Sequence, residues 1–346
     1  MEWQNFIFKI KFWPKETQMK FFKNSLVAAS LPIVFALMMT PILSKAQTYP
    51  TKTIRFIVPF APGGNTDVAA RLVAKGLSQQ LGQPIIVENR AGAGGVIGTD
   101  FVAKAPADGY IVLVGHIGAL TINPAIYEKL PYDTLKDFDP VGLSVVTPLV
   151  LVSASNVGIN SVAELIKKAK SDPGKLTYGT AGSGSAAHMA SELFNISAGI
   201  QTTHIPYKGA GPATLALLSG EVSYSFGGQA PTQPFVKSGK LIALGVSGLN
   251  PSPQFPGIPT LASLGLKDFE VVDWSGLLVP AGTPKSVVTK LNVELIKYLN
   301  LPETKTQLAQ LGFEGRPGTP GQFTEFIKSE MAKWKKSADT ANIKAD

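Results

Sequence analysis

Two stretches of small residues constrain this chain more than any other feature: Pro59-Phe60-Ala61-Pro62-Gly63-Gly64-Asn65-Thr66-Asp67 and Tyr178-Gly179-Thr180-Ala181-Gly182-Ser183-Gly184-Ser185. Each follows a short β-like run and opens a helical pattern. A strand, a tight turn of small residues and a helix N-terminus leave backbone N–H groups without intrahelical partners, beside the positive end of the helix dipole. Such a turn receives anions. Two of them, far apart in the chain but alike in context, predict two lobes closing on one small carboxylate.

The surrounding pattern is α/β. Residues 53–58 read as a strand and 66–81 as an amphipathic helix with Ala69, Leu72, Val73 and Leu77 on one face. Strand 85–88, helix 96–105 and strand 111–114 complete a βαβαβ run, the signature of a parallel sheet covered by helices. A longer extended segment, 141–155, is interrupted at Pro148, and the helix over 161–171 that follows has Ser161 and Glu164 as a capping box. A second α/β unit then alternates strands 176–178, 203–206, 222–226 and 241–246 with helices 186–198, 212–218 and 231–238. The proline-rich 250–259 reads as a connection. After it come strand 274–280 and helices 284–299, 302–310 and 320–344, each opened by Pro as at a first helical turn. A crossing near Thr147 and a return near Asp273 make a hinge, with residues 47–147 plus 272–346 as lobe 1 and 148–271 as lobe 2. No internal repeat is visible beyond the shared turn chemistry, and no low-complexity segment.

The first residues stand apart from this fold. From Met19 a basic start leads into the apolar stretch 26–43 and the small-x-small ending Ser44-Lys45-Ala46, the layout of a secretory signal cut after Ala46. Residues 1–18 precede that pattern and add nothing to it, which makes Met19 a second candidate start. A retained membrane anchor would also suit the length of the apolar stretch; Pro32, Pro41 and the small-residue ending favour cleavage. The chain has no cysteine, which excludes disulfides and thiol nucleophiles. Of the formal charge of +8, residues 1–46 hold six Lys and two Glu, leaving +4 with no long basic run. Nucleic acid is therefore not an expected partner.

Within the first turn, Asn65, Thr66 or Asp67 can cap the helix, and Asp67 reads as a structural cap because it would repel a carboxylate. The second turn offers Thr180, Ser183 and Ser185 hydroxyls with no fixed cation, or it is a plain loop of small residues. The run Arg90-Ala91-Gly92-Ala93-Gly94-Gly95-Val96-Ile97-Gly98 contains GxGxxxG but follows the second strand and lacks the acidic ribose partner, so it reads as a close-packed helix start near the cleft rather than a dinucleotide site. Ser183 lacks the GxSxG elbow. His116, His188 and His204 are spaced without a metal motif, so neither a metal nor a cofactor is expected. His188, one turn into its helix, faces the cleft or is a satisfied buried histidine; His116 follows the third strand. Tyr207 is a candidate pocket wall, and Lys208 either attracts anions or is a solvated loop cation.

Taken together, Pro59-Phe60-x-Pro62-Gly63-Gly64, Asn89-Arg90-x-Gly92-Ala93-Gly94-Gly95, Asp108-Gly109-Tyr110, Tyr178-Gly179-x-Ala181-Gly182-x-Gly184-Ser185, Ile205-Pro206-Tyr207-Lys208-Gly209, Ser238-Gly239-Lys240-Leu241 and Pro280-Ala281-Gly282-Thr283-Pro284 closely resemble the Bug family of periplasmic solute-binding proteins, the receptors of tripartite tricarboxylate transporters. The resemblance covers essentially all of 47–346. It implies a two-lobed α/β periplasmic-binding-protein fold of the Venus-flytrap, type II-like kind with a double-crossover hinge, located in the periplasm. It implies a monomer without catalysis that delivers a small organic carboxylate, dicarboxylate or aromatic, to the membrane subunits. By the family pattern, Phe60, Ala61, Gly64 and Asn65 from one turn and Thr180, Ala181, Gly182, Ser183, Gly184 and Ser185 from the other clasp a carboxyl group. His116, Thr147, His188, Tyr207 and Gly228 complete the expected site. One departure stands out: similar members carry an acid after the strand that here ends Ser225-Phe226-Gly227-Gly228-Gln229, and its absence inclines the reading toward a ligand without an amine. Two other readings use the same pocket: a secreted enzyme with His188 or His116 as base and Ser183 or Ser185 as nucleophile, and a ligand-presenting partner of a signalling receptor.

Overall fold

The structure, a computed structural model, describes residues 49–341, 343 and 344. The expected leader, both candidate starts and the cleavage point lie outside the described residues. In chain order the first elements are β1 (Ile54–Val58), α1 (Asn65–Leu81), β2 (Ile85–Asn89), α2 (Val96–Ala103), β3 (Ile111–His116), a helical turn running into α3 (Asn123–Ile126), and the long β4 (Phe138–Ala154). Then follow α4 (Val162–Ser171), β5 (Thr177–Thr180), α5 (Ala186–Ala198), β6 (Thr203–Pro206), α6 (Ala210–Ser219), β7 (Tyr224–Gly228), α7 (Gln229–Lys237) and β8 (Leu241–Val246). The chain ends with β9 (Val272–Pro280), α8 (Lys285–Asn300), α9 (Pro302–Gln310), the short β10 (Glu314–Gly315) and α10 (Pro320–Ala341).

These strands form two sheets, one per lobe, that share the order of five strands, with the short β10 added against β4 in the first. The first runs β2-β1-β3-β9-β4 and the second β6-β5-β7-β4-β8. In each, the first strand lies parallel between the second and third, and the strand arriving from the other lobe is antiparallel to both its neighbours. This is a repeat of topology. It leaves no trace in the sequence beyond the turns, because strand order is fixed by packing rather than by residue identity.

Pro148 does not interrupt the extended segment as the sequence suggested. Up to Pro148, β4 pairs with β9 in the first sheet; from Leu149 it pairs with β7 and β8 in the second. A residue without an N–H sits where the ladder changes partners, so no sheet bond is lost. Pro284 caps α8 from outside rather than opening its first turn, and α10 ends at Ala341. The turn after β3, at Gly118–Ile122, carries no periodicity that a sequence reading could use.

β1 and β3 are nearly continuous buried apolar runs, as suits parallel strands covered on both faces. Helices α1 and α8 cover one side of the first sheet, with Val73, Leu77, Leu291 and Leu295 against Phe56, Val112 and Leu277. On its other side α10 lays Phe323 and Trp334 into a cluster that extends into the second lobe through Leu149, Phe194 and Phe226. Here Trp274 of β9 meets Phe323 edge-on at 5.8 Å, and Glu330 Oε2 accepts from both the Trp274 and the Trp334 indole N–H, at 3.2 and 3.0 Å. The returning crossover strand is thereby pinned one residue beyond Asp273.

Candidate binding cleft

β1 delivers the chain to the turn 59–64, and α1 starts at Asn65 with Gly64 as N-cap. Asp67, in the first turn of α1, ties the loop together. It accepts from the Gly63 N–H at 3.1 Å, from Arg71 Nε and Nη2 at 3.0 and 2.9 Å, and from Asn89 Nδ2 at 2.9 Å. The same Asn89 amide donates to the Phe60 carbonyl at 3.0 Å. Burial would raise the Asp67 pKa, but the bonds from Arg71, Asn89 and the Gly63 amide outweigh it and hold the carboxyl below its usual range.

The second turn spends part of its donor set internally. Gly182 N–H donates to Thr180 Oγ1 and Gly184 N–H to His188 Nδ1, both at 3.1 Å. Ser185 Oγ accepts from the His188 N–H at 3.3 Å and caps α5. His204 stacks between His188 and Tyr178, with ring centroids 4.3 and 5.0 Å away, and its Nε2 lies 2.6 Å from Thr180 Oγ1. The amides still owed partners are those of the first turn of α5, Ala186 and Ala187 among them.

Between the two turns lies a cavity of about 50 Å³, walled by Phe60, Ala61, Gly64, Asn65, Thr66 and Asp67 from the first lobe's turn and by Ala181, Ser185, Ala186 and Ala187 from the second. His116, Leu149, Ala210, Phe226, Gly228 and Asp273 close it. Open grooves of about 790 and 510 Å³ lie elsewhere, but neither takes a residue from either turn. The first sits beside α4 and the second behind the crossovers.

At the floor, His116 Nδ1 accepts from the Gly118 N–H at 2.9 Å, so any ring proton that faces Asp273 is the one on Nε2. That nitrogen is 2.9 Å from Asp273 Oδ1, yet its N–H is not directed along a hydrogen bond to that oxygen. Phe60 meets the His116 ring edge-on at 4.7 Å. Asn65 Nδ2 reaches Asp273 Oδ2 at 3.4 Å.

The two lobes touch across the cleft through backbone. Ala61 N–H donates to the Lys208 carbonyl at 3.2 Å. A Cβ at Gly209 would sit 2.8 Å from Ala61 N, and one at Gly94 would sit 1.9 Å from the Ser183 carbonyl oxygen. The lobes are closed in this arrangement. The GxGxxxG run is thus a packed helix start on the cleft rim, where only a bare backbone fits.

Of the residues singled out from sequence, Phe60, Ala61, Gly64, Asn65, His116, Ala181, Ser185 and Gly228 line the cavity. Thr180, Gly182, Ser183, Gly184 and His188 form the turn behind it. Thr147 lies on β4 opposite Asp273 in register and is buried, and Tyr207 turns its hydroxyl outward to Glu221 at 2.5 Å. Burial and then that glutamate push the Tyr207 pKa up to about 12. Residues not anticipated in the wall are Thr66, Asp67, Leu149, Ala186, Ala187, Ala210, Phe226 and above all Asp273, which had served only to mark the crossing. Its signal was available: a lone acid inside the apolar strand Val272-Asp273-Trp274-Ser275-Gly276-Leu277-Leu278-Val279. Among the described residues, no group of three or more His, Cys, Asp or Glu is placed to hold a metal, and no helix is long and apolar enough to cross a membrane.

Comparison with known proteins fits this geometry. Residues 69–343 match the family described as the tripartite tricarboxylate transporter family receptor. Protein BugT of Bordetella pertussis is 39% identical over 290 residues, covering 84% of this chain and 89% of BugT. A Rhodopseudomonas palustris protein solved with adipate superposes with a TM-score of 0.84 at 34% identity, over 86% of this chain and 100% of its own. MatC from the same species, with bound malate, gives 0.80 at 34% identity, over 84% and 99%.

Proposed function

The chain belongs to the tripartite tricarboxylate transporter receptor family, the Bug proteins, and on that premise we propose that it captures one small organic carboxylate between its lobes and hands it to the membrane subunits of such a transporter. One observation carries the reading: two helix N-termini, each presented by a strand and a glycine-rich turn of a different sheet, wall the same cavity. Hydrogen bonds to an ionised carboxylate are worth about 1.5–3 kcal/mol each, and a partly buried helix terminus adds up to about 2. Three or four such contacts, less the cost of association, reach the roughly 8 kcal/mol of micromolar binding without any arginine.

The relatives solved with adipate and malate support an aliphatic dicarboxylate. The cavity is walled by turns from both lobes, so the lobes part to admit a ligand and a compact one lets them close again. Binding without catalysis fits both candidate bases. His116 and His188 each commit Nδ1 to a glycine N–H, and the remaining nitrogen of His116 faces a carboxylate. The lobes are taken as 47–147 plus 272–346 and 148–271, in a periplasmic monomer released from its leader after Ala46.

Calorimetric titration with succinate, malate and adipate, and X-ray scattering with and without the acid that binds, test this reading. Binding with compaction of the particle is expected. Tight binding without compaction would remove closure from the account, and no binding would remove capture. N-terminal sequencing of the exported protein is expected to begin at Gln47.

A further inference from the structure

Two carboxylates share the cavity wall and differ in how they are satisfied. Asp67 receives four hydrogen bonds, two of them from a guanidinium. Asp273 is 5% exposed and, among the described residues, pairs with no Lys or Arg; its neighbours are the His116 ring, with Nε2 2.9 Å from Oδ1, and the Asn65 amide at 3.4 Å. Its Oδ1 has no directed hydrogen bond. Asn65, 7% exposed, likewise leaves its Oδ1 without a donor. Two buried acceptor oxygens without a well-directed donor therefore stand in the wall of the same small cavity, a condition that proteins relieve with a donor.

We propose that Asp273, with Asn65, is the specificity-determining end of the site and selects carboxylates that also carry a hydrogen-bond donor, a hydroxyl or an ammonium, on the carbon chain. This rests on carboxylate capture as proposed above. The ligand's carboxylate lies at the N-termini of α1 and α5, and its donor lies against Asp273 Oδ1 and Asn65 Oδ1. A donorless acid leaves both oxygens unpaired, and a carboxylate pressed against Asp273 is repelled. Asp273 thus supplies, from the returning crossover strand, the acid that is missing after β7.

Succinate, malate and aspartate differ at one position, bearing no donor, a hydroxyl and an ammonium, so their titration into the native protein reads chemistry with little change in size. At least one of malate and aspartate is expected to bind about tenfold or more tighter than succinate, since a site built for a donor penalises the analogue that lacks it. In Asp273→Asn that preference falls to within about threefold, and succinate binds no worse than to the native protein. A lead for aspartate identifies the donor as ammonium, a lead for malate as hydroxyl, and either supports the proposal. Equal affinity of the native protein for all three acids overturns the role of Asp273 while carboxylate capture stands, and so does a preference that survives in Asp273→Asn. Absence of binding by all three and by adipate overturns capture itself, and the selectivity with it.

Discussion

Asp67 shows how a single carboxylate can be both buried and harmless. Its folded pKa is depressed, so the stability it contributes is complete above its unfolded value of about 3.9 and is lost as pH falls through the lower folded value. Asp67→Asn is therefore expected to lower the melting temperature at neutral pH and to flatten its fall on acidification; melts across the acid range would show both. Glu330 is a second acceptor with much depending on it. Glu330→Leu strands two buried indole N–H groups at about 1–3 kcal/mol each, and the denaturant midpoint should drop accordingly. Glu330→Gln keeps an acceptor and should cost clearly less. At this scale the sequence exposed the chemistry that is local. Glycines and a run of small residues announce a turn wherever it ends up, although Asp67, expected to cap the helix, instead braces the loop from the first turn behind the Gly64 N-cap. Asp273 showed in the sequence only as a lone acid in an apolar strand; its role comes from His116 and Asn65, which it meets only after the chain has crossed between lobes twice.

Among the elements, the turns and the crossover strands do different work. The strand–turn–helix units were legible as β-branched runs, glycine and helical periodicity in succession. The helical turn at Gly118–Ile122 was not, because its apolar residues are buried all round and show no face. Contact across the cleft belongs to this scale. Gly94 has φ +58° and lies so close to the Ser183 carbonyl that a methyl group has no room. Gly94→Ala should hold the lobes apart and weaken apparent affinity in proportion to the lost closed population, about tenfold or more. Scattering of the ligand-saturated variant should stay nearer the ligand-free profile; full compaction at native affinity would show that this contact is dispensable.

For the molecule as a whole, two lobes and a hinge follow from chain length and from the position of the two turns. The common strand order does not, since it depends on which edge each crossing strand joins. The first sheet contains β9 between β3 and β4, and the second contains β4 between β7 and β8, so each lobe holds an inner strand delivered across the hinge. In the chain from Gln47 onward the tryptophans are Trp274 and Trp334, both in the first lobe, whereas far-ultraviolet dichroism reports both lobes. If the exchanged strands couple the lobes, melts followed by the two signals should coincide. Two separated transitions would show the lobes unfolding independently. A graft that gives one lobe to a foreign partner would have to bring its own replacement for the borrowed strand, or leave a gap one strand wide in the middle of a sheet. The inheritable unit is the pair, and pocket redesign in this scaffold has to proceed by changing side chains on a shared frame rather than by exchanging halves.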